Sequence, residues 1–371
     1  MKRYVTIFPN TLDIHLIKDV GMIPYMLYKY HGYDAYIATY NNGKYDYLDS
    51  EVKGLKLDFI KKKFNNDYIN IILYIVKNAK KIDVLQVFGF SISQLFLLML
   101  YKIISGKENK AYIKLDSNET ILEIKYSWIR KKIIQNLVQY VDVITAETHE
   151  IAKQLEDNNT LFSRVQYLPN GFFDNEVKRE ISFNKKKNQF ITVGRLSLEG
   201  KQIFVLLEGF AKFVSQNPKN DFSFVLIGPY DDDFSRKFEL FIKSNSLLAD
   251  RIVLTGPIYD RKKLQELYLE SKIFLFASLS ESFGFVYLEA LQNGCFIIST
   301  PLLPAFEISD NGKYANFFDF GDSSELSKII ENTIKKEDLF SIAEKGSLFV
   351  YENFYWPKIA NKLVNYLNLK K

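Results

Sequence analysis

Short apolar runs alternate with longer stretches of mixed, amphipathic composition along the whole chain. In the first half such runs lie at 4–8, 35–39, 84–88, 112–115, 141–146 and 165–168. In the second half they lie near 190 and at 224–227, 252–254, 274–276 and 296–299. Each is short enough for a strand and apolar enough to be covered on both faces, the pattern of a parallel sheet under helices. The intervening stretches have helical length, and one of them repeats Phe204, Leu207, Phe210 and Phe213 on a single face. The alternation predicts an α/β protein with two Rossmann-like, doubly wound parallel sheets. A chain of 371 residues is also longer than one hydrophobic core usually sustains. The polar stretch Asn184-Lys185-Lys186-Lys187-Asn188 reads as the linker, its charges solvated, dividing the chain into 1–180 and 181–353, with 354–371 left over. Ligands of doubly wound sheets lie at the carboxyl ends of the strands, so the loops after each strand carry the candidate chemistry.

The most informative of these loops follows Lys272-Ile273-Phe274-Leu275-Phe276-Ala277. A turn at 278–282 leads to Gly284, which permits close backbone approach, and a helix is expected over 285–293, stopped by Gly294 as a left-handed cap. Free amides at that helix start favour a phosphate. Glu289 sits among Val286, Leu288, Ala290 and Leu291, so its carboxylate is expected to be withdrawn from bulk water. Leaving it unpartnered would cost several kcal/mol, and the two hydroxyls of a ribose are suitable donors. Glu281, before the helix, is placed to meet whatever hangs from the phosphates. With Ser282, Phe283, Gly284 and Phe285 the segment reads as a sugar-nucleotide site. The plain alternative is a Glu289 salt bridge to a lysine and a solvated Glu281. A second cluster is Gly194-Arg195-Leu196 at a strand end, with Lys201 ahead of the next helix. A guanidinium grips two phosphate oxygens while an ammonium supplies a compact charge, so the pair suits a departing diphosphate. Two exposed surface cations are the alternative.

These segments resemble the retaining family-4 glycosyltransferases of the two-domain GT-B fold. The resemblance rests on Gly194-Arg195-Leu196 with Lys201, on Glu281 to Glu289, and on Pro169-Asn170-Gly171. It extends to Phe354-Tyr355-Trp356 followed by Ile359 and Leu363, similar to the helix that closes such chains by crossing back to the first domain. It implies two domains facing a cleft, an acceptor-binding first domain and a nucleotide-sugar-binding second one. It further implies sugar transfer to a glycan or lipid-linked hydroxyl with the anomeric configuration kept, and a leaving diphosphate that accepts the acceptor's proton. On that reading Glu281 orients sugar hydroxyls, Glu289 holds the ribose, and backbone around Ile258 reads a pyrimidine edge. Many relatives carry a histidine near Lys114-Leu115-Asp116. This chain has none there, and Asp116 stands either in its place or as a helix cap.

Gly21, after the first strand, either approaches a donor phosphate or the acceptor, or is a turn glycine. Glu147 and His149 read as surface residues, His15 and His31 as structural. Asp231-Asp232-Asp233 reads as a solvated loop, and neither a metal nor another cofactor is expected beside Arg195 and Lys201. The single cysteine, Cys295, lies in an apolar run, which excludes an internal disulfide and favours a reducing compartment. With no secretory leader read at the start and no membrane-span-length apolar stretch, a cytoplasmic location is expected. The net charge of +5 is too small, and binding motifs too absent, for nucleic acid. The helix-like stretch 125–134 mixes Lys125, Arg130, Lys131 and Lys132 with Trp128 and aliphatics. It suits either an anionic membrane surface or plain solvent. A catalytically silent partner subunit and a sugar-nucleotide epimerase stay as rival functions.

Overall fold

The computed structural model describes residues 1–118, 120–157, 164–174 and 181–368. The chain divides into a first unit, Met1–Phe173 with Tyr355–Lys371, and a second, Asp174–Phe354. The boundary expected at 180 and the last three residues of the expected terminal helix lie outside the described residues.

The first unit is built on seven parallel strands: β1 (Arg3–Ile7), β2 (Asp34–Thr39), β3 (Lys56–Phe59), β4 (Val84–Phe88), β5 (Lys110–Lys114), β6 (Val143–Ala146) and β7 (Gln166–Tyr167). Their order is β3-β2-β1-β4-β5-β6-β7, with the chain reversing direction of growth beside β1. Every residue of β4 is buried, and its one polar side chain, Gln86, accepts hydrogen bonds from Tyr4 (2.7 Å) and Thr6 (2.9 Å). Its carbonyl oxygen is thereby satisfied, while its buried amide nitrogen has no hydrogen-bond partner. The Trp356–Asn368 helix returns to this unit and packs on the Asp19–His31 helix. Trp356, Ile359, Ala360, Leu363 and Leu367 are buried against residues including Ile23, Met26 and Leu168. The Trp356 amide donates to the Phe172 carbonyl at 3.1 Å, which fixes where the helix begins.

The second unit holds six parallel strands: β8 (Lys187–Val193), β9 (Ser223–Ile227), β10 (Ile252–Gly256), β11 (Ser271–Phe276), β12 (Phe296–Ser299) and β13 (Ala315–Phe317), ordered β10-β9-β8-β11-β12-β13. Its core is rich in phenylalanine: Phe190 on β8 lies within 6.5 Å, ring to ring, of Phe210, Phe213, Phe222 and Phe224. The α/β reading with two doubly wound parallel sheets therefore holds. Two strands were not foreseen, β3 and β13. Both are edge strands, one carrying Lys56 and Asp58 and the other only three residues long, so neither has the apolar run of a central strand.

Two other expectations change. The lysine-rich stretch at 184–188 is not a solvated linker: it contains the short Phe183–Lys185 turn of helix and the start of β8. Lys186 is buried, its ammonium donating to the carbonyls of Tyr268 (3.2 Å), Ser271 (2.7 Å) and Asn293 (2.8 Å). Three carbonyls replace the water a buried ammonium loses, and burial pulls its pKa down. Asp231 is a helix cap rather than loop charge, its carboxylate accepting the Phe234 amide at 2.8 Å at the start of the Asp232–Ser244 helix. Asp233 pairs with Arg236 on the same helix.

Replacing Trp356 with alanine removes the largest buried side chain of the returning helix. We expect a loss of about 3–5 kcal/mol, read as an earlier urea unfolding transition of the first unit with the second unit's transition in place.

Candidate active site

At the carboxyl edge of the second sheet, backbone hydrogen bonds stitch three loops together, those after β8, β9 and β11. Gly194 follows β8, and its amide donates to the Ile227 carbonyl (3.0 Å) while Leu196 donates to Pro229 (2.9 Å). Gln202 donates to Ala277 (3.1 Å), and Leu279 to Gly200 (2.9 Å), tying the loop after β8 to the loop after β11. The stitching requires glycine at 228, with φ +150°: a Cβ there would lie 1.7 Å from the Gly194 carbonyl oxygen. No backbone could tolerate that contact.

Lys201 lies on this seam. Its ammonium forms an ion pair with the Glu281 carboxylate, stands 3.3 Å from the Ser278 hydroxyl, and sits 4.7 Å from the centre of the Phe276 ring. Burial, and then the nearby Arg195 guanidinium, pull its pKa down to about 8. Arg195 itself is exposed, so the two cations are held differently, one on a free stem and one anchored. Of the expected residues, Lys201 and Glu281 are thus brought together, with Arg195 near enough to lower the Lys201 pKa.

Gly284 precedes the Phe285–Gln292 helix at φ +77° and provides no side-chain cap, so the first-turn amides have no side-chain acceptor of their own. A Cβ on Gly284 would come within 2.6 Å of the Tyr287 ring, whose hydroxyl is tied to Ser299 at 2.7 Å. The helix start is therefore fixed by a backbone shape that glycine supplies. Phe283 is buried with its ring 5.5 Å from that of Phe285, and Ser282 is half-buried beside them.

Glu289 lies on the same helix, five residues beyond Gly284, roughly 7–8 Å along the axis. It is half-buried rather than fully withdrawn, because the helix face it occupies meets the Arg261–Glu270 helix only in part. One carboxylate oxygen accepts the hydroxyl of fully buried Tyr268 at 3.0 Å. Burial and the Glu289 charge push the Tyr268 phenol well above its ordinary range. Sequence reasoning missed this partner, because no local pattern ties a residue of the Arg261–Glu270 helix to one on the helix after β11.

Other candidates are placed as follows. Ile258 is half-buried in the loop after β10, next to Tyr259, which is 85% exposed. Gly21 and Asp116 belong to the first unit. Gly21 is the third residue of the Asp19–His31 helix, where a Cβ would lie 2.1 Å from the Leu16 carbonyl oxygen. The close approach it permits is made by the chain itself. Asp116 is exposed, just past β5, at φ +44°. Glu147 is not on the surface as expected: its side chain is fully buried and 2.8 Å from the equally buried Lys114 ammonium. A strand-end carboxylate can be buried there because a lysine at the neighbouring strand end neutralises it. His149 is exposed, its ring stacked on Tyr167 at 3.5 Å. Among the described residues no group of three or more His, Cys, Asp or Glu side chains is arranged to hold a metal ion.

Two Rossmann-like parallel sheets with a returning terminal helix make this a GT-B fold. Residues 173–345 match the family described as glycosyl transferases group 1. It is 24% identical over 299 residues to N-acetyl-alpha-D-glucosaminyl L-malate synthase of Bacillus anthracis, covering 77% of this chain and 74% of that one. It is 24% identical over 303 residues to the capsular polysaccharide biosynthesis glycosyltransferase CapH of Staphylococcus aureus, covering 80% of each. The Anabaena protein Alr3699/HepE, solved in complex with UDP, superposes with a TM-score of 0.75 at 16% identity over 99% of both chains.

Tyr268→Phe removes the hydroxyl that holds Glu289. A hydrogen bond to a half-buried charged group is worth about 1.5 kcal/mol, and chemical denaturation of the variant at neutral pH should read a loss of that size.

Proposed function

We propose that this protein is a retaining glycosyltransferase that moves a sugar from a nucleoside diphosphate, with UDP favoured, to a hydroxyl of a glycan or lipid-linked acceptor in cell-surface polysaccharide synthesis. The observation that carries the reading is the junction of Lys201, Arg195 and Glu281 beside an uncapped, glycine-led helix start. A diphosphate carries charge that two cations and a set of helix amides neutralise, and such pairing strengthens as the leaving group develops charge. Glu281, already on Lys201, would exchange part of that contact for sugar hydroxyls. Glu289, steadied by Tyr268, would take the ribose, and the Ile258 loop would meet the base. With the cations in that role, the reaction needs no metal, and the departing diphosphate takes the acceptor's proton. The reading agrees with the UDP complex of the Anabaena protein and with the capsular role named for the staphylococcal relative.

The Trp128–Val138 helix supports contact with an anionic membrane on the cytoplasmic face. No helix among the described residues is long and apolar enough to cross a membrane, yet this one exposes Trp128 (73%), Ile129 (54%) and Ile133 (40%) and buries only Ile134. Lys125, Arg130, Lys131 and Lys132 are exposed around them. Aromatic and aliphatic side chains ringed by cations match the interfacial region of a charged bilayer.

Incubation with a panel of sugar nucleotides should reveal slow hydrolysis of one donor, and Arg195→Ala should lower turnover by at least about tenfold, roughly 1.4 kcal/mol. Hydrolysis of none would favour a silent partner, and epimerised donor a different enzyme. Sedimentation with phosphatidylglycerol vesicles should fall about fivefold for each cation neutralised in Lys131→Gln and Lys132→Gln, at roughly 1 kcal/mol per charge. Equal binding by wild type and double variant would remove the membrane proposal.

A further inference from the structure

A buried charge cluster in the first unit has no part in the chemistry described so far. Lys114 ends β5 and Glu147 follows β6; their side chains are fully buried and 2.8 Å apart. The Lys114 ammonium also donates to the Leu168 carbonyl at 3.3 Å. The Glu147 carboxylate takes two further donors, the Asp116 amide at 3.1 Å on one oxygen and the Ser117 amide at 3.4 Å on the other. Successive amides around a left-handed residue form an anion-binding concavity, and here the chain's own carboxylate fills it. Asp116 is that residue, at φ +44°, a conformation aspartate adopts more readily than most but that still needs support. Asp116 itself is exposed at the edge of the cluster, near enough for its charge to act on Asp19.

A buried ion pair is poor value for stability alone, since apolar residues of the same volume usually serve as well or better. Its retention calls for another consequence, and the consequence visible here is the shape of the loop after β5. We propose that Glu147 is a positioning residue for sugar transfer: neutralised by Lys114 and clasped by the Asp116 and Ser117 amides, it holds Asp116 in the left-handed turn that presents its carboxylate to a sugar hydroxyl of the substrate. The proposal rests on the glycosyltransferase reading. Asp19, from the Asp19–His31 helix, faces the same cluster with one carboxyl oxygen buried and unpartnered. Burial raises that carboxyl to about 7, Lys114 pulls it down, and Asp116 and Glu147 push it up. Lys114 is lowered by burial but raised overall, chiefly by Glu147. The charges of Asp19, Lys114, Asp116 and Glu147 thus act on one another.

The test compares wild type with Glu147→Gln, Asp116→Ala, the double variant, and a Lys114→Met, Glu147→Leu pair that keeps the packing. Three readouts are taken: hydrogen exchange at the Asp116 and Ser117 amides, UDP affinity, and transfer rate with separate KM values for donor and acceptor. In Glu147→Gln the two amides should exchange at least about tenfold faster, transfer should fall at least about tenfold, and UDP affinity should hold. Adding Asp116→Ala should cost nothing further. A raised acceptor KM places the hydroxyl on the acceptor, a raised donor KM on the transferred sugar. If Glu147→Gln does not fold, the apolar pair decides: it should melt near wild type and still lose transfer. Wild-type exchange or wild-type transfer in a folded variant, or losses that multiply in the double variant, overturns the proposal. Failure of the wild type to bind UDP would sink the glycosyltransferase reading instead, while exchange at the two amides still decides whether Glu147 holds the turn.

Discussion

The contact between the Lys201 ammonium and the Glu281 carboxylate is the interaction on which the second unit's site depends. It joins the loop after β8 to the loop after β11, alongside the backbone bonds from Gln202 to Ala277 and from Leu279 to Gly200. The lysine is held from three sides, by a carboxylate, a hydroxyl and a ring face. A cation so placed has already given up most of its hydration and rotamer freedom, so an anion arriving beside it meets a charge that needs little rearrangement. On the proposed reading that preparation is what distinguishes Lys201 from Arg195, which is exposed and free to close on a phosphate from outside.

The same constraint explains where glycine is placed. Gly228 exists because the Gly194 carbonyl occupies the space of a Cβ, and Gly284 because the helix must begin in a left-handed turn against the Tyr287 ring. Both glycines lie at the carboxyl edge of the sheet, where parallel strands deliver their loops. The first unit solves a related problem without glycine: Glu147 uses a buried charge and two amides to hold Asp116 in a left-handed turn. One unit relies on backbone permissiveness, the other on electrostatic clasping.

The central strands were legible because a run such as Val84 to Phe88 is apolar throughout and has few alternatives to a covered parallel strand. Edge strands β3 and β13 were not, because half-exposed backbone at a sheet margin demands no apolar run. Of the local motifs, Gly284 and Gly294 bracket the expected helix almost to the residue, and Lys201 meets Glu281, while Arg195 stays exposed. Long-range polar partners were illegible. Nothing local marks Tyr268 as the partner of Glu289, Lys114 as that of Glu147, or three carbonyls from distant segments as the reason Lys186 is buried. Such pairings are set by strand order and register, and a charged residue read from sequence alone defaults to solvent.

On the proposed reading, Lys201 is an anchored, partly titrated cation that receives the diphosphate. Calorimetric titration with UDP at pH 8, repeated in buffers of different ionisation enthalpy, tests it most directly. With the Lys201 pKa at about 8, a bound diphosphate should draw in about half a proton in the wild type and none through this group in Lys201→Met. Equal proton uptake in the two proteins would contradict the account.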